Sequence, residues 1–157
     1  MDELSGDVIN LLKKQSFVIV STMEANGRIH ASAKGIADIK KGKVYLIDLY
    51  NARTFENLRL NPTITITAVD EHQFCGYVLK GKASIIKEED IDKGIIKNWE
   101  EKVINRISKR IIKNLKQDRS SQLHPESRFG RPKYLIEVSV EEVVDLTPSH
   151  LKKPASE

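Results

Sequence analysis

The chain has 157 residues, of which 39% are apolar and 31% charged, as is typical of a soluble globular protein. This length fits one domain with its own core, and no run approaches the roughly 20 apolar residues of a membrane-spanning helix. The single cysteine, Cys75, excludes an internal disulfide, and the four histidines match no metal-binding motif. No secretory signal is apparent, so we expect a single cytoplasmic domain over residues 1–157.

The first predicted element is a short amphipathic helix that ends near Gln15. Apolar residues recur at helical spacing between Leu4 and Leu12. Ser5 or Asp7 could cap its start, since both residue types accept hydrogen bonds from the first backbone N–H groups.

Six runs of residues have the composition and alternation of β-strands. The first two flank Asn26-Gly27, a pair favoured in hairpin turns whose two central residues need positive φ. A second turn, at Lys41-Gly42, precedes the third run. A closed barrel would remove exposed strand edges, so we predict a mainly β fold, a six-stranded antiparallel barrel with helices outside. The runs comprise residues 17–22, 29–39, 44–49, 63–69, 77–86 and 134–140.

A long basic segment follows the fifth run. Apolar residues recur every four positions through residues 91–117, which predicts an amphipathic helix with a break near Gly94. The net charge of +4 is concentrated there, because residues 91–119 contain nine Lys or Arg and four Asp or Glu. This face could follow a nucleic-acid backbone, but no aromatic stacking run accompanies it, so a solvated face is the favoured interpretation. Trp99 lies on the apolar stripe and is expected to pack in the core or at a dimer interface.

Two segments after this helix lack a regular pattern. Residues 118–133 contain prolines and a glycine, which predicts an ordered or mobile loop. Arg128, Phe129 and Arg131 in this loop could cover a substrate pocket or reach a partner subunit, or the loop could be a simple connection. Residues 147–157 are expected to be frayed.

The most informative run is residues 43–69, in which a strand, a polar turn, a short helix and another strand follow in quick order. Arg53 and Thr54 stand at the start of the predicted helix. The first turn of a helix has unpaired N–H groups and the positive end of the dipole, so this arrangement favours a phosphate. Alternatively, Arg53 could form a surface ion pair with Glu56, and Thr54 could be a plain helix cap.

The order of elements and three short motifs resemble the FMN-binding split-barrel family, which includes pyridoxamine 5′-phosphate oxidase. The motifs are ASAK at residues 31–34, ARTFENLRLNP at residues 52–62 and GKAS at residues 81–84. The resemblance is close over residues 16–86 and loose over residues 134–146. It implies a split-barrel core at residues 16–146, FMN as cofactor and a homodimer with the cofactor at the subunit interface.

The resemblance also implies a cofactor site. Lys34, Arg53 and Thr54 would hold the FMN phosphate, with Thr54 at a position where the oxidases have lysine, and the two cations would balance the phosphate dianion. The flavin ring would lie along the second and third strands, Asn57 would brace the phosphate loop, and Trp99 could reach the flavin edge. Lys34 could instead be a solvent-facing lysine on an edge strand. The predicted cofactor-binding residues are Ile29, His30, Ala31, Ser32, Ala33, Lys34, Ile47, Asp48, Arg53 and Thr54.

The expected reaction is less specific than the expected cofactor. Gly76 stands where the oxidases place a glutamine, and nothing after Val140 matches their Arg-x-His substrate motif, which counts against pyridoxamine 5′-phosphate as substrate. The resemblance implies an FMN-dependent oxidoreductase acting on an unknown small molecule, with NADH or NADPH as electron donor. A non-catalytic binder or carrier of FMN, deazaflavin F420 or haem is the alternative, and a nucleic-acid binder is the third. No catalytic side chain or metal is predicted, since a flavin carries its own redox chemistry.

Overall fold

The computed structural model of the chain describes residues 1–48, 52–116 and 132–152. Within these ranges, the 3₁₀ turns are Glu88–Asp90 and Ser149–Leu151. In chain order these elements are α1 (Gly6–Lys14), β1 (Val18–Met23), β2 (Ile29–Lys40), β3 (Lys43–Asp48), α2 (Arg53–Leu60), β4 (Thr63–Asp70), β5 (Cys75–Lys87), α3 (Lys93–Lys116) and β6 (Tyr134–Asp145).

The six strands form a closed antiparallel barrel in the order β1-β2-β3-β6-β5-β4. This confirms the predicted fold class. β6 is longer than predicted, because it continues past residue 140 to pair Asp145 with Tyr77 of β5. Register shifts between Ile36 and Asp38 and between Lys80 and Gly81 mark bulges, which bend strands and help a sheet to close.

The two hairpin turns differ from the prediction in their backbone conformation. At the β1–β2 turn only Gly27 has a positive φ, 81°, and its N–H donates to the Glu24 carbonyl at 2.9 Å. Both central residues have positive φ in the β2–β3 turn instead, at Lys41 (45°) and Gly42 (72°). The expectation for Asn26-Gly27 was therefore wrong in turn type, although the hairpin itself is confirmed.

The main hydrophobic core lies inside the barrel, and α1 contributes to it. Ser5 caps α1 as predicted, since its Oγ accepts from the Val8 N–H at 3.4 Å. The apolar face of α1 packs on fully buried strand residues. The largest fully buried residues of this core are Leu12 of α1 and, on the strands, Leu46, Ile64, Ile66, Leu79 and Ile136.

A second core cluster lies on the outer side of β2, β3 and β6, under α3. Trp99 packs there with Ile47 and Leu135, which confirms its prediction as a packing residue. α3 begins two residues later than predicted and runs through Gly94 without a break. The Asp92 carboxylate explains this continuity, because it accepts from the Gly94 N–H at 2.7 Å and so caps the first turn.

The remaining predictions concern the ends of α3 and β6. Arg128, Phe129 and Arg131 lie outside the described residues, as do residues 117–131 and 153–157 as a whole. Two exposed contacts join β6 to residues 147–152, which lie in the tail that the sequence predicts to be frayed: the Asp145 carboxylate accepts from the Thr147 N–H at 2.8 Å and pairs with Lys152 Nζ at 3.2 Å. None of the helices in the described ranges has the length and apolar character needed to cross a membrane.

Candidate functional site

Two polar contacts fix α2 against the first hairpin. The Asn57 side-chain amide donates to Thr22 Oγ1 at 3.0 Å, and both residues are buried. Ser32 Oγ lies 3.0 Å from Thr54 Oγ1, with Thr54 only 2% exposed. Because α2 is held at its first and second turns, Asn57 braces the helix against β1, and the start of α2 has a defined position over β2.

The first turn of α2 has no side-chain cap. The N-cap residue is Ala52, whose methyl group cannot accept a hydrogen bond. Thr54 is not the cap, because its hydroxyl pairs with Ser32 instead. Within the described ranges, the N–H groups of Arg53, Thr54 and Phe55 therefore remain available to an anion, at the positive end of the helix dipole.

Lys34 and Asp48 form an ion pair beside this helix. Lys34 Nζ lies 2.6 Å from Asp48 Oδ2, and the two side chains are 11% and 2% exposed. The alternative of a solvent-facing Lys34 is therefore wrong. The Tyr134 hydroxyl donates to the same oxygen of Asp48. Burial and the neighbouring carboxylate raise the pKa of Tyr134, so its hydroxyl stays protonated and acts as the donor.

Tyr134 also connects this ion pair to α2. Its ring meets the Phe55 ring edge to face, with centroids 4.9 Å apart and an interplanar angle of 64°. Phe55 follows Thr54 in the first turn of α2, so one side chain holds both the buried carboxylate and the start of the helix. Tyr134 was not predicted as a site residue, because 86 residues separate it from Asp48 and no local motif marks it.

Arg53 has a different environment from Lys34. Its side chain is 75% exposed, and its Nη1 lies 3.7 Å from Glu24 Oε1. The predicted alternative pairing with Glu56 was wrong, since Glu56 pairs with Arg59 at 3.9 Å. Each of the two predicted phosphate-binding cations thus has a carboxylate beside it, which makes the local field less positive than Lys34 and Arg53 alone would.

The predicted site residues on β2 divide between two faces of the strand, as strand alternation requires. His30, Ser32 and Lys34 are partly buried on the side where Lys34 meets Asp48 and Ser32 meets Thr54. Ile29, Ala31 and Ala33 are exposed on the opposite side.

Ile47, another predicted site residue, lies apart from Lys34 and Ser32, because its side chain is buried under α3. The structure thus brings Ser32, Lys34, Asp48 and Thr54 together at one end of the barrel, with Arg53 at its rim. No group of His, Cys, Asp or Glu in the part of the chain that the structure describes is arranged to hold a metal ion.

The exposed side of β1 and β2 carries large apolar side chains that α3 does not cover. Cross-strand pairs place Ile19 opposite Ala33 and Met23 opposite Ile29, and Ile19 also faces Thr67 of β4. Exposed apolar groups that share one sheet face form a patch of the kind that marks interaction surfaces. We call this the outer apolar face; its members are Phe17, Ile19, Met23, Ile29, Ala31, Ala33 and Val69.

Comparisons with known proteins are consistent with this architecture. No curated protein sequence matches the chain. Among solved structures, HupZ of Group A Streptococcus aligns with a TM-score of 0.67 and 20% identity, over 92% of this chain and 95% of HupZ. An F420 reductase aligns with a TM-score of 0.58 and 11% identity, over 90% and 98% of the two chains. A FAD-binding protein of Mesorhizobium loti aligns with a TM-score of 0.54 and 14% identity, over 90% and 94%.

These identities are low, so the structural matches establish the fold alone. The sequence match is more specific. The family described as pyridoxamine 5′-phosphate oxidase matches residues 6–146, which include every strand of the barrel and both α1 and α2. The chain belongs to the pyridoxamine 5′-phosphate oxidase family.

Proposed function

We propose that the chain is an FMN-binding flavoprotein whose cofactor phosphate lies at the first turn of α2. The observation that carries this proposal is the uncapped start of α2, fixed by the Ser32–Thr54 contact on the strand that also carries Lys34. Backbone N–H groups at a helix start, one hydroxyl pair and one ammonium group are the donors that a phosphate monoester needs.

The Lys34–Asp48 ion pair determines how such a phosphate would be bound. An ammonium group has three donors, so Lys34 can keep one hydrogen bond to Asp48 and direct another toward a phosphate. Tyr134 continues to donate to Asp48 and so stabilises the carboxylate when Lys34 shares its donors. The pair therefore orients the ammonium, while the amides of α2 supply the remaining donors.

From the phosphate at the start of α2, FMN would pass the rim at Arg53 to reach the side of β2 opposite Lys34, and the flavin ring would lie there beside the outer apolar face. Ala31 and Ala33 have the smallest side chains on that side of the strand, and both are exposed, so a flat ring can approach the backbone closely. Bound FMN would supply the redox chemistry, and the chain would bind it, orient it and limit its access to water. The structural neighbours named F420 reductase and FAD-binding protein support a flavin-type ligand on this fold.

A homodimer completes the proposal. Ile19, Met23 and Ile29 leave large apolar groups in water on the outer apolar face, and a second copy of the chain would cover them. An interface there would also close the exposed side of β2 and so form the second wall of the flavin pocket. The activity we propose is an FMN-dependent oxidoreductase that uses NADH or NADPH to reduce a small molecule.

The first test is a titration of the purified protein with FMN, followed by flavin fluorescence, with F420 and haem in parallel. FMN should bind and Lys34→Ala should weaken its binding at least about tenfold, because one charge-assisted contact is lost. Lys97→Ala, an exposed lysine on α3, is the matched control and should leave the affinity unchanged. Failure of FMN to bind, with binding of F420 or haem instead, would refute the assignment of the cofactor.

The second test separates an enzyme from a carrier. The FMN-loaded protein is mixed anaerobically with NADH or NADPH, and the flavin absorption band is recorded. Bleaching of the band supports an oxidoreductase. A band that persists with both donors, in a protein that binds FMN tightly, favours a carrier.

A further inference from the structure

A second cleft, distinct from the site at Lys34, lies between the end of α1, the far half of β2 and the middle of α3. Its volume is about 470 Å³, within the usual range for small-molecule sites. Its apolar floor is formed by Leu12, Ile36 and Ile39. None of its lining residues belongs to the cofactor site described above. We call it the basic cleft.

The side chains around this floor are mostly cationic. Lys102, Arg106 and Lys109 lie on successive turns of α3, at spacings of four and three residues, so they share one face of the helix. Lys13 and Lys14 approach from the last turn of α1. Two separate helices therefore bring five cations to the wall of one concavity.

The cleft has little negative charge of its own. Asp38 is the one carboxylate among its described lining residues, and its Oδ2 already pairs with Lys40 Nζ at 2.8 Å. Within the described ranges, Lys13, Lys14, Lys102 and Lys109 have no carboxylate within ion-pair distance. No carboxylate of the described residues therefore neutralises the charge of these four lysines by a direct ion pair.

Lys102 shows how crowded these charges are. Its Nζ donates to the Ala37 carbonyl at 3.0 Å, so the ammonium lies against β2. Desolvation lowers the pKa of Lys102, and the nearby charges of Arg106 and Lys13 lower it further, while Asp38 opposes this. An anion in the cleft would relieve the repulsion among these cations.

We infer that the basic cleft is a binding site for a small phosphorylated molecule that carries two or more negative charges. The apolar floor would contact the carbon skeleton of the ligand, and Lys102 with Lys13 would bind its phosphate oxygens. A nucleic acid fits less well, because the described lining residues include no aromatic side chain that could stack on a base.

The test is a calorimetric titration of the full chain with inorganic pyrophosphate. Saturable binding is expected. The double variant that combines Lys13→Gln and Lys102→Gln should bind pyrophosphate at least about tenfold more weakly, since two charge-assisted contacts are lost. Lys97→Gln removes one exposed charge from the same helix outside the cleft and should change the affinity less than about twofold. Circular dichroism checks that each variant keeps the wild-type fold.

Two further binding measurements show whether the effect is specific to this cleft. Lys34→Ala should leave pyrophosphate binding intact, and the Lys13→Gln, Lys102→Gln variant should bind FMN as the wild type does, so failure of one site is distinguishable from failure of the other. The inference is overturned by the absence of saturable pyrophosphate binding, by equal affinities in the cleft variant and the Lys97→Gln control, or by loss of binding in Lys34→Ala. The inference would also be overturned if a short DNA duplex bound more tightly than pyrophosphate and displaced it, because the ligand of the cleft would then be a nucleic acid.

Discussion

The Lys34 ammonium and the Asp48 carboxylate are in contact at 2.6 Å, at a point in the barrel where Asp48 is 2% exposed. Removal of one partner of a buried ion pair leaves the other charge without compensation. Lys34→Met and Asp48→Asn should each lower the free energy of unfolding by about 3–5 kcal/mol.

The double variant distinguishes a true pair from two independent effects. Lys34→Met combined with Asp48→Asn should cost less than the sum of the two single changes, because no unpaired charge remains. Urea unfolding of the four proteins measures this coupling. Strict additivity would contradict the ion pair.

Tyr134 should make the stability fall at alkaline pH. Burial and Asp48 raise the pKa of Tyr134 in the folded chain, whereas an unfolded tyrosine loses its proton at about pH 10. Above that pH the unfolded chain binds fewer protons than the folded chain, so the free energy of unfolding declines as pH rises, by up to about 1.4 kcal/mol per pH unit from this group.

The measurement compares wild type with Tyr134→Phe in urea unfolding at a series of pH values. The variant should be less stable at neutral pH by about 1–3 kcal/mol, because Asp48 loses a donor. Its stability should decline less steeply than that of the wild type above pH 10. Equal slopes would show that Tyr134 does not carry the effect.

The contact between Asn57 and Thr22 should be needed to position α2. Asn57→Ala leaves the buried Thr22 hydroxyl without its donor and should cost about 1–3 kcal/mol of stability, measured by urea unfolding. FMN affinity should fall as well, since the first turn of α2 loses one of its two attachments. Thr22→Val combined with Asn57→Leu removes both polar groups and should cost less than Asn57→Ala; a larger cost would indicate that packing, not the hydrogen bond, holds the helix.

The outer apolar face should be the subunit interface. Ile19→Asp places a charge at its centre and should reduce the mass in solution, measured by light scattering, from twice 17.8 kDa to 17.8 kDa. Ile104→Asp is the control, because Ile104 is an exposed isoleucine on α3, outside this face. A wild-type protein that is already monomeric would refute the proposed dimer.

The sequence predicted the strands well because their signals are local. Alternation of Thr and Ile in residues 63–69, and turn residues such as Gly27 and Gly42, determine strands and hairpins with little help from distant residues. The length of β6 was underestimated for the opposite reason. Residues 141–145 have weak strand character, and they become a strand only because β5 offers them a paired edge.

The predictions for the candidate site show the same difference between local signals and contacts that depend on distant residues. Lys34 and Thr54 were predicted from motifs within a few residues of themselves; in the structure Thr54 contacts Ser32, two residues from Lys34, and Lys34 pairs with Asp48. The carboxylate beside Lys34 and the hydroxyl of Tyr134 depend on the pairing of β3 with β6. Such tertiary pairings cannot be read from a local motif, so the sequence overstated the free positive charge of the site.

The position of β6 in the barrel has a consequence for synthesis of the protein. β6 is the last of the described strands in chain order, yet it lies between β3 and β5 and pairs with both. Until residues 134–145 leave the ribosome, β3 and β5 expose unpaired edges, which are sites of aggregation. Closure of the barrel is therefore a late event, because it joins segments that are distant in sequence. Substitutions in β6 should reduce the yield of folded protein during translation more than they reduce the stability of protein whose barrel has already closed.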